Sequence, residues 1–187
     1  MGSDSFLMPG ASFLKSGVGF KFVGKIRMHI MKASDDSKAP FFIDNEVITL
    51  TRGGVWLSDQ TEIDHEQTVR LFGRSLKKDG EGYFIQVGRE TKRIVVQDTA
   101  YFVTRLEGDA TQGYRLWLSD GTQEDLDPDT LSYRPGRLTC RVHGGSEEAR
   151  LLSVAYFDLL KDLQEDNSNN GAYFLSIRGK RVELAKK

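Results

Sequence analysis

Apolar and polar positions along this chain run mostly in short alternating stretches, and twice the alternation gives way to helical spacing. Residues 47–51 and 55–58 are rich in β-branched and apolar side chains. Between them lies Arg52-Gly53-Gly54, whose glycines accept the positive φ of a tight turn, so the segment predicts a β-hairpin. Val69, Phe72 and Leu76 then recur three and four residues apart, which predicts a helix with that face buried. Asp64 is placed to cap it and Gln67 to complete a capping box, while Arg70, Arg74, Lys77 and Lys78 are left toward solvent. Asp79-Gly80-Glu81-Gly82 is expected to end the helix, and strands follow at 83–87, 92–97 and 100–106.

The same order returns. Trp56-Leu57-Ser58-Asp59 reappears as Trp117-Leu118-Ser119-Asp120, and Tyr83-Phe84-Ile85 as Tyr173-Phe174-Leu175. Strands are expected at 114–119 and 137–142, and a second helix from about Ser146, with Glu147 and Glu148 in its first turn, where the helix dipole favours acids. Leu152, Ala155, Leu159 and Leu163 would line its inner face, and 173–177 with 180–184 make the last hairpin. The fold class read from this is α+β: two related hairpin–helix–hairpin units with mainly antiparallel strands and extra residues inside the second. The first unit is set at 41–106 and the second at 107–187. Residues 1–40, punctuated by glycine, form a tail or short appended element.

Composition narrows the function classes. With 39% hydrophobic and 28% charged residues among 187, the chain reads as an ordinary globular protein. A net charge of −1 argues against a nucleic-acid polymer or an anionic membrane as partner. Phe20, Phe22, Val23 and Ile26 are interrupted by Lys21, Lys25 and Arg27, so no signal peptide or membrane span is expected. The lone Cys140 rules out an intrachain disulfide and suits a reducing cytoplasm, the expected location. No P-loop, zinc-protease helix or nucleophile elbow occurs, His29, His65 and His143 share no metal spacing, and no cofactor is expected.

Several segments together resemble the bacterial domain-of-unknown-function family twelve-eighty-five. They are Gly54-Val55-Trp56, Arg70-Leu71-Phe72, Asp79-Gly80 before Gly82-Tyr83, and then Glu90, Ile94, Val96 and Asp98 at the family's offsets. Glu148-Ala149-Arg150 and Tyr156-Phe157-Asp158-Leu159 resemble its second helix. The family's Thr-Pro pair is replaced here by Val87-Gly88. The resemblance, over roughly residues 48–185, implies a duplicated core with a C-terminal half like a pleckstrin-homology fold. It also implies a ligand site between the halves for something nucleotide-like, a signalling role, and no enzymatic activity.

The residues themselves offer one cluster. Arg89, Glu90, Lys92, Arg93 and Asp98, joined by Arg70 and Arg150 from the two helices, have the forks and point charges that hold phosphate or carboxylate. Solvated hairpin charges are the plainer account of the same residues. Trp56 is the candidate stacking platform, although tryptophans repeated in strands are more often core anchors. The reading is a non-enzymatic module that binds a small anionic, nucleotide-like ligand between its halves. The alternative is a protein-interaction module that offers an open sheet edge to a partner.

Overall fold

Gly54, at φ 78°, turns strand β1 (Ile48–Leu50) back into β2 (Trp56–Ser58), so that Leu50 faces Trp56 across the hairpin. The computed structural model describes residues 41–166 and 172–185; the expected tail over 1–40 and the loop over 167–171 lie outside them. After β3 (Thr61–Glu62) comes helix α1 (Glu66–Arg74), which buries Phe72 and half-buries Val69. His65, not Asp64, caps it, its ring accepting the Thr68 backbone N–H. The helix is shorter than expected: Leu76 opens a strand, β4 (Leu76–Asp79), and Asp79–Gly82 turns that strand into β5 (Gly82–Val87). Strand β6 (Glu90–Val96) pairs antiparallel with β5 and parallel with β1, giving the sheet order β3-β2-β1-β6-β5-β4.

A second six-stranded sheet follows. It comprises β7 (Tyr101–Asp109), β8 (Gly113–Leu118), β9 (Gln123–Asp125), β10 (Ser132–Arg134), β11 (Arg137–Val142) and β12 (Glu147–Leu151). Its order is β10-β11-β12-β7-β8-β9, with β12 parallel to β7. Helix α2 (Ser153–Leu160) then leads to a three-stranded sheet of β13 (Leu163–Asp166), β14 (Ala172–Ile177) and β15 (Lys180–Ala185).

The duplication is visible in the pairing. The series β1-β2-β3-α1-β4-β5-β6 is matched by β7-β8-β9-α2-β13-β14-β15, and the extra residues are β10 to β12. Because β12 takes beside β7 the parallel place that β6 holds beside β1, the last three strands form a sheet of their own, with β15 against β10. Even a side-chain motif recurs. Arg93 lies over the Phe84 ring and bonds Asp79, while Arg181 lies over Phe174 and bonds Asp166.

Two further sequence expectations need correction. The unit boundary set at 106/107 falls inside β7 (Tyr101–Asp109), which belongs to the second sheet, and the change of sheet falls between Val96 and Tyr101. Residues 147–151 are strand, not the first turns of a helix. Gly144 and Gly145, at φ 65° and 86°, close a hairpin that pairs Val142 with Glu147, and the alternate residues Ala149 and Leu151 are buried. Ala155 and Leu159 are nevertheless buried on α2 as the spacing required.

Two cores meet at β7: Phe102 packs in the first, Val103 in the second, and Tyr101 touches both. The contact between the units is close. A Cβ on Gly73 of α1 would lie 2.7 Å from the Ser119 carbonyl oxygen, and one on Gly54 would lie 3.3 Å from the Phe102 ring. Among the described residues no helix is long and apolar enough to cross a membrane.

Candidate functional site

Adjacent residues on a strand point to opposite faces, and this disperses most of the predicted cluster. On one face of β6 the Glu90 carboxylate accepts the backbone N–H groups of Phe41 and Phe42 at 2.8 and 3.2 Å, and the Lys92 ammonium donates to the Ile43 carbonyl at 2.8 Å. These two side chains fasten the segment before β1 to the sheet. On the other face Arg93 forks onto Asp79, with both bonds at 2.6 Å, and reaches Glu81 at 2.9 Å. The Arg93 guanidinium holds the Asp79 carboxyl below its ordinary value. Arg89 is exposed at the β5–β6 turn, and Arg70 pairs with Glu66 one turn back along exposed α1 at 2.5 Å.

Trp56 is no stacking platform. It is 5% exposed and packs edge-on against Phe72 with ring centroids 5.3 Å apart, because the inner face of β2 is covered by α1. Its repeat, Trp117, is half-buried with Arg105 over the ring at 5.5 Å.

What the fold does bring together is Asp98 and Arg150, at 2.9 Å. Asp98 sits in the connection between β6 and β7. It also accepts from Arg137 of β11 at 3.0 Å, and Arg137 in turn bonds Glu148 at 2.8 Å. Thr139 donates to the same Glu148 carboxylate. The Arg137 guanidinium, more than any other group, lowers the Glu148 pKa. A second bridge joins the units where Tyr83 donates to Glu147 at 2.5 Å and Lys78 approaches the same carboxylate at 3.2 Å. Burial, then Glu147, push the Tyr83 hydroxyl above its ordinary value, so it remains a donor at neutral pH.

Two clefts open beside the Asp98–Arg150 bridge. One, of about 510 Å³, is lined by Glu81, Tyr83, Arg93, Ile94, Val96 and Asp98. Its arginine, Arg93, is already paired with Asp79 and Glu81. The other, of about 530 Å³, takes Arg52 and Gly53 from the first unit and Thr104, Gly136, Arg150 and residues 151–154, 156 and 157 from the second. Here Arg52 makes no ion pair among the described residues, and Val154 and Phe157 are 63% and 64% exposed. The chemistry this cleft offers is a cationic rim beside an apolar wall. Among the described residues no group of three or more His, Cys, Asp or Glu is arranged to hold a metal.

Of the residues singled out from the sequence, Arg93, Asp98 and Arg150 line these clefts, whereas Arg52, Arg137, Val154 and Phe157 were not among the candidates. A signal for the last two was present: Ser153-Val154-Ala155-Tyr156-Phe157-Asp158-Leu159-Leu160 has almost no polar face, so a helix on the surface must expose apolar groups. Arg137 carried no such signal, because Asp98 lies 39 positions away and Glu148 meets it only once β11 and β12 pair.

No protein-family model matches the sequence, and no curated protein matches it. Solved structures similar to this chain are DUF1285 family proteins. One from Silicibacter pomeroyi DSS-3 superposes with a TM-score of 0.57 at 18% identity, covering 74% of this chain and 79% of that one. Another from Shewanella baltica OS155 has a TM-score of 0.49 at 17% identity, covering 63% of this chain and 92% of that one. The first shows a shared fold, the fold that the sequence resemblance implied, and carries nothing about chemistry.

Proposed function

We propose that this chain is a cytoplasmic, non-enzymatic binding module that takes a small anionic ligand in the cleft between its units. The observation that carries the reading is the arrival of Arg52 and Arg150 from different units on one cleft of about 530 Å³, a volume suited to a small molecule. A ligand spanning Arg52 of one unit and the wall beside the Arg150–Asp98 bridge of the other would be sensitive to how the units pack, and it would bias that packing in return, which is the minimum a signalling role needs. The nucleotide-like ligand implied by the family resemblance belongs to this class, and Tyr156 and Phe157 supply aromatic rings at the cleft. The alternative, addition of a partner strand at a sheet edge, has less support: edge strand β4 carries exposed Lys77 and Lys78, and edge lysines discourage strand addition.

A thermal-shift screen of the whole chain against nucleotides, cyclic dinucleotides and acidic metabolites tests the proposal, with Arg52→Ala run in parallel. A ligand at one hundred times its Kd stabilises by about 2.7 kcal/mol, a shift of several degrees that the variant should lose. A flat screen ends the proposal for the anions tried. A shift that survives Arg52→Ala places the site elsewhere.

A further inference from the structure

The apolar wall of this cleft is only partly used by the cores: Leu152 packs against the first and Tyr156 against the second, while Val154 and Phe157 are left exposed. Helix α2 buries Ala155 and Leu159, both at 0% exposure, and these anchor it to the second core. A surface helix ordinarily sets polar residues on the opposite face. Here that face presents Val154 and Phe157, and Leu152 and Tyr156 continue the same lining. Scattered exposed apolar residues need no explanation, but a contiguous group within a concavity marks a binding surface.

The charge beside that wall is limited. Arg150 is neutralised by Asp98, which also serves Arg137, and Arg137 is further held by Glu148. With Arg52 added, three arginines face two carboxylates, which leaves one positive charge for a ligand. A polyphosphate would bring several negative charges to a site that can answer one. A carboxylate matches it, and the planar guanidinium fork of Arg52 suits a carboxylate's two oxygens.

From these two features we infer that the ligand is an amphiphilic monoanion: a carboxylate whose apolar chain or ring lies along Val154 and Phe157 while its head reaches Arg52. This rests on the proposal that the cleft is the binding site, and it names the ligand class. The apolar portion supplies affinity through burial, and the single charge fixes orientation at the rim.

Isothermal titration of the full chain with octanoate, 1-octanol and adenosine monophosphate tests the inference, with the wild type compared with Phe157→Ser and Arg52→Gln. Both substituted side chains are exposed, so the variants should fold, and circular dichroism would confirm it. Octanoate is expected to bind the wild type and to weaken by about tenfold or more in Phe157→Ser, from lost apolar contact. Arg52→Gln should weaken octanoate and leave octanol unchanged. Octanoate binding that is indifferent to both substitutions overturns the inference. If adenosine monophosphate binds in an Arg52-dependent manner and octanoate does not, the inference falls while the anion site stands. If none of the three binds and the anion screen is also flat, both fall.

Discussion

Replacing Gly73 with alanine sets two known effects against each other at one atom. Gly73 is buried in the last turn of α1, and in an open helix the change would stabilise by about 0.8–1.0 kcal/mol through backbone entropy. Here the added Cβ would sit 2.7 Å from the Ser119 carbonyl oxygen and 3.5 Å from the Asp120 Cα, which belong to the other unit. Both are backbone atoms, so no flexible side chain can move aside. Overpacking costs about 1–3 kcal/mol, and an approach of 2.7 Å to backbone belongs to the upper part of that range, about 2–3 kcal/mol, so the helix gain offsets only part of it. The expected result is a net destabilisation of about 1–2 kcal/mol, read in urea unfolding and as a Tm lowered by roughly 3 °C per kcal/mol. Gly80→Ala is the control. Its Cβ meets nothing within 4 Å, and it should be neutral or more stable by about 0.4–1 kcal/mol. If Gly73→Ala proves as stable as the wild type or more so, α1 does not bear on the Ser119 turn as described, and the account of the inter-unit contact is wrong.

The remaining expectations concern charge and reactivity. Glu148 has its folded pKa depressed by Arg137, so the stability it contributes is present above the unfolded glutamate value of about 4.3 and is lost as pH falls through the folded value. Arg137→Met should flatten that acid limb in urea titrations between about pH 5 and pH 3; an unchanged limb would mean that the pair is not formed. Arg137→Met should also destabilise the chain by about 1–2 kcal/mol at neutral pH, less than for a fully buried pair, because Asp98 keeps Arg150 and Glu148 is 40% exposed. Burial pushes the Cys140 thiol up to about 12 at 1% exposure. A thiol reagent at pH 8 should therefore label it only on unfolding, and rapid labelling of the native chain would contradict the β11 core placement.

The sequence by itself determined the elements whose signals are local. Arg52-Gly53-Gly54 specified the first hairpin because a positive φ is a property of the residue and needs no distant partner. The repeated Trp-Leu-Ser-Asp and Tyr-Phe segments exposed the duplication for the same reason: a copied unit carries its letters with it. Residues 146–152 are too short a stretch for period two and a helical period to be told apart. The arbiter was pairing with β11 across Gly144 and Gly145.

Only the tertiary structure decided the rest, and each case turns on contacts far apart in the chain. The parallel place beside β7 went to β12 rather than to the repeat's own last strand, which no local pattern could state. The alternation of β6 sent Lys92 and Arg93 to opposite faces, and each found a nearby structural partner, so charges adjacent in sequence did not converge. The Asp98–Arg137–Glu148 chain joins residues 39 and 11 positions apart. Identity in sequence fixes which groups can carry charge or bury a ring; the long-range pairing of strands fixes which of those groups meet.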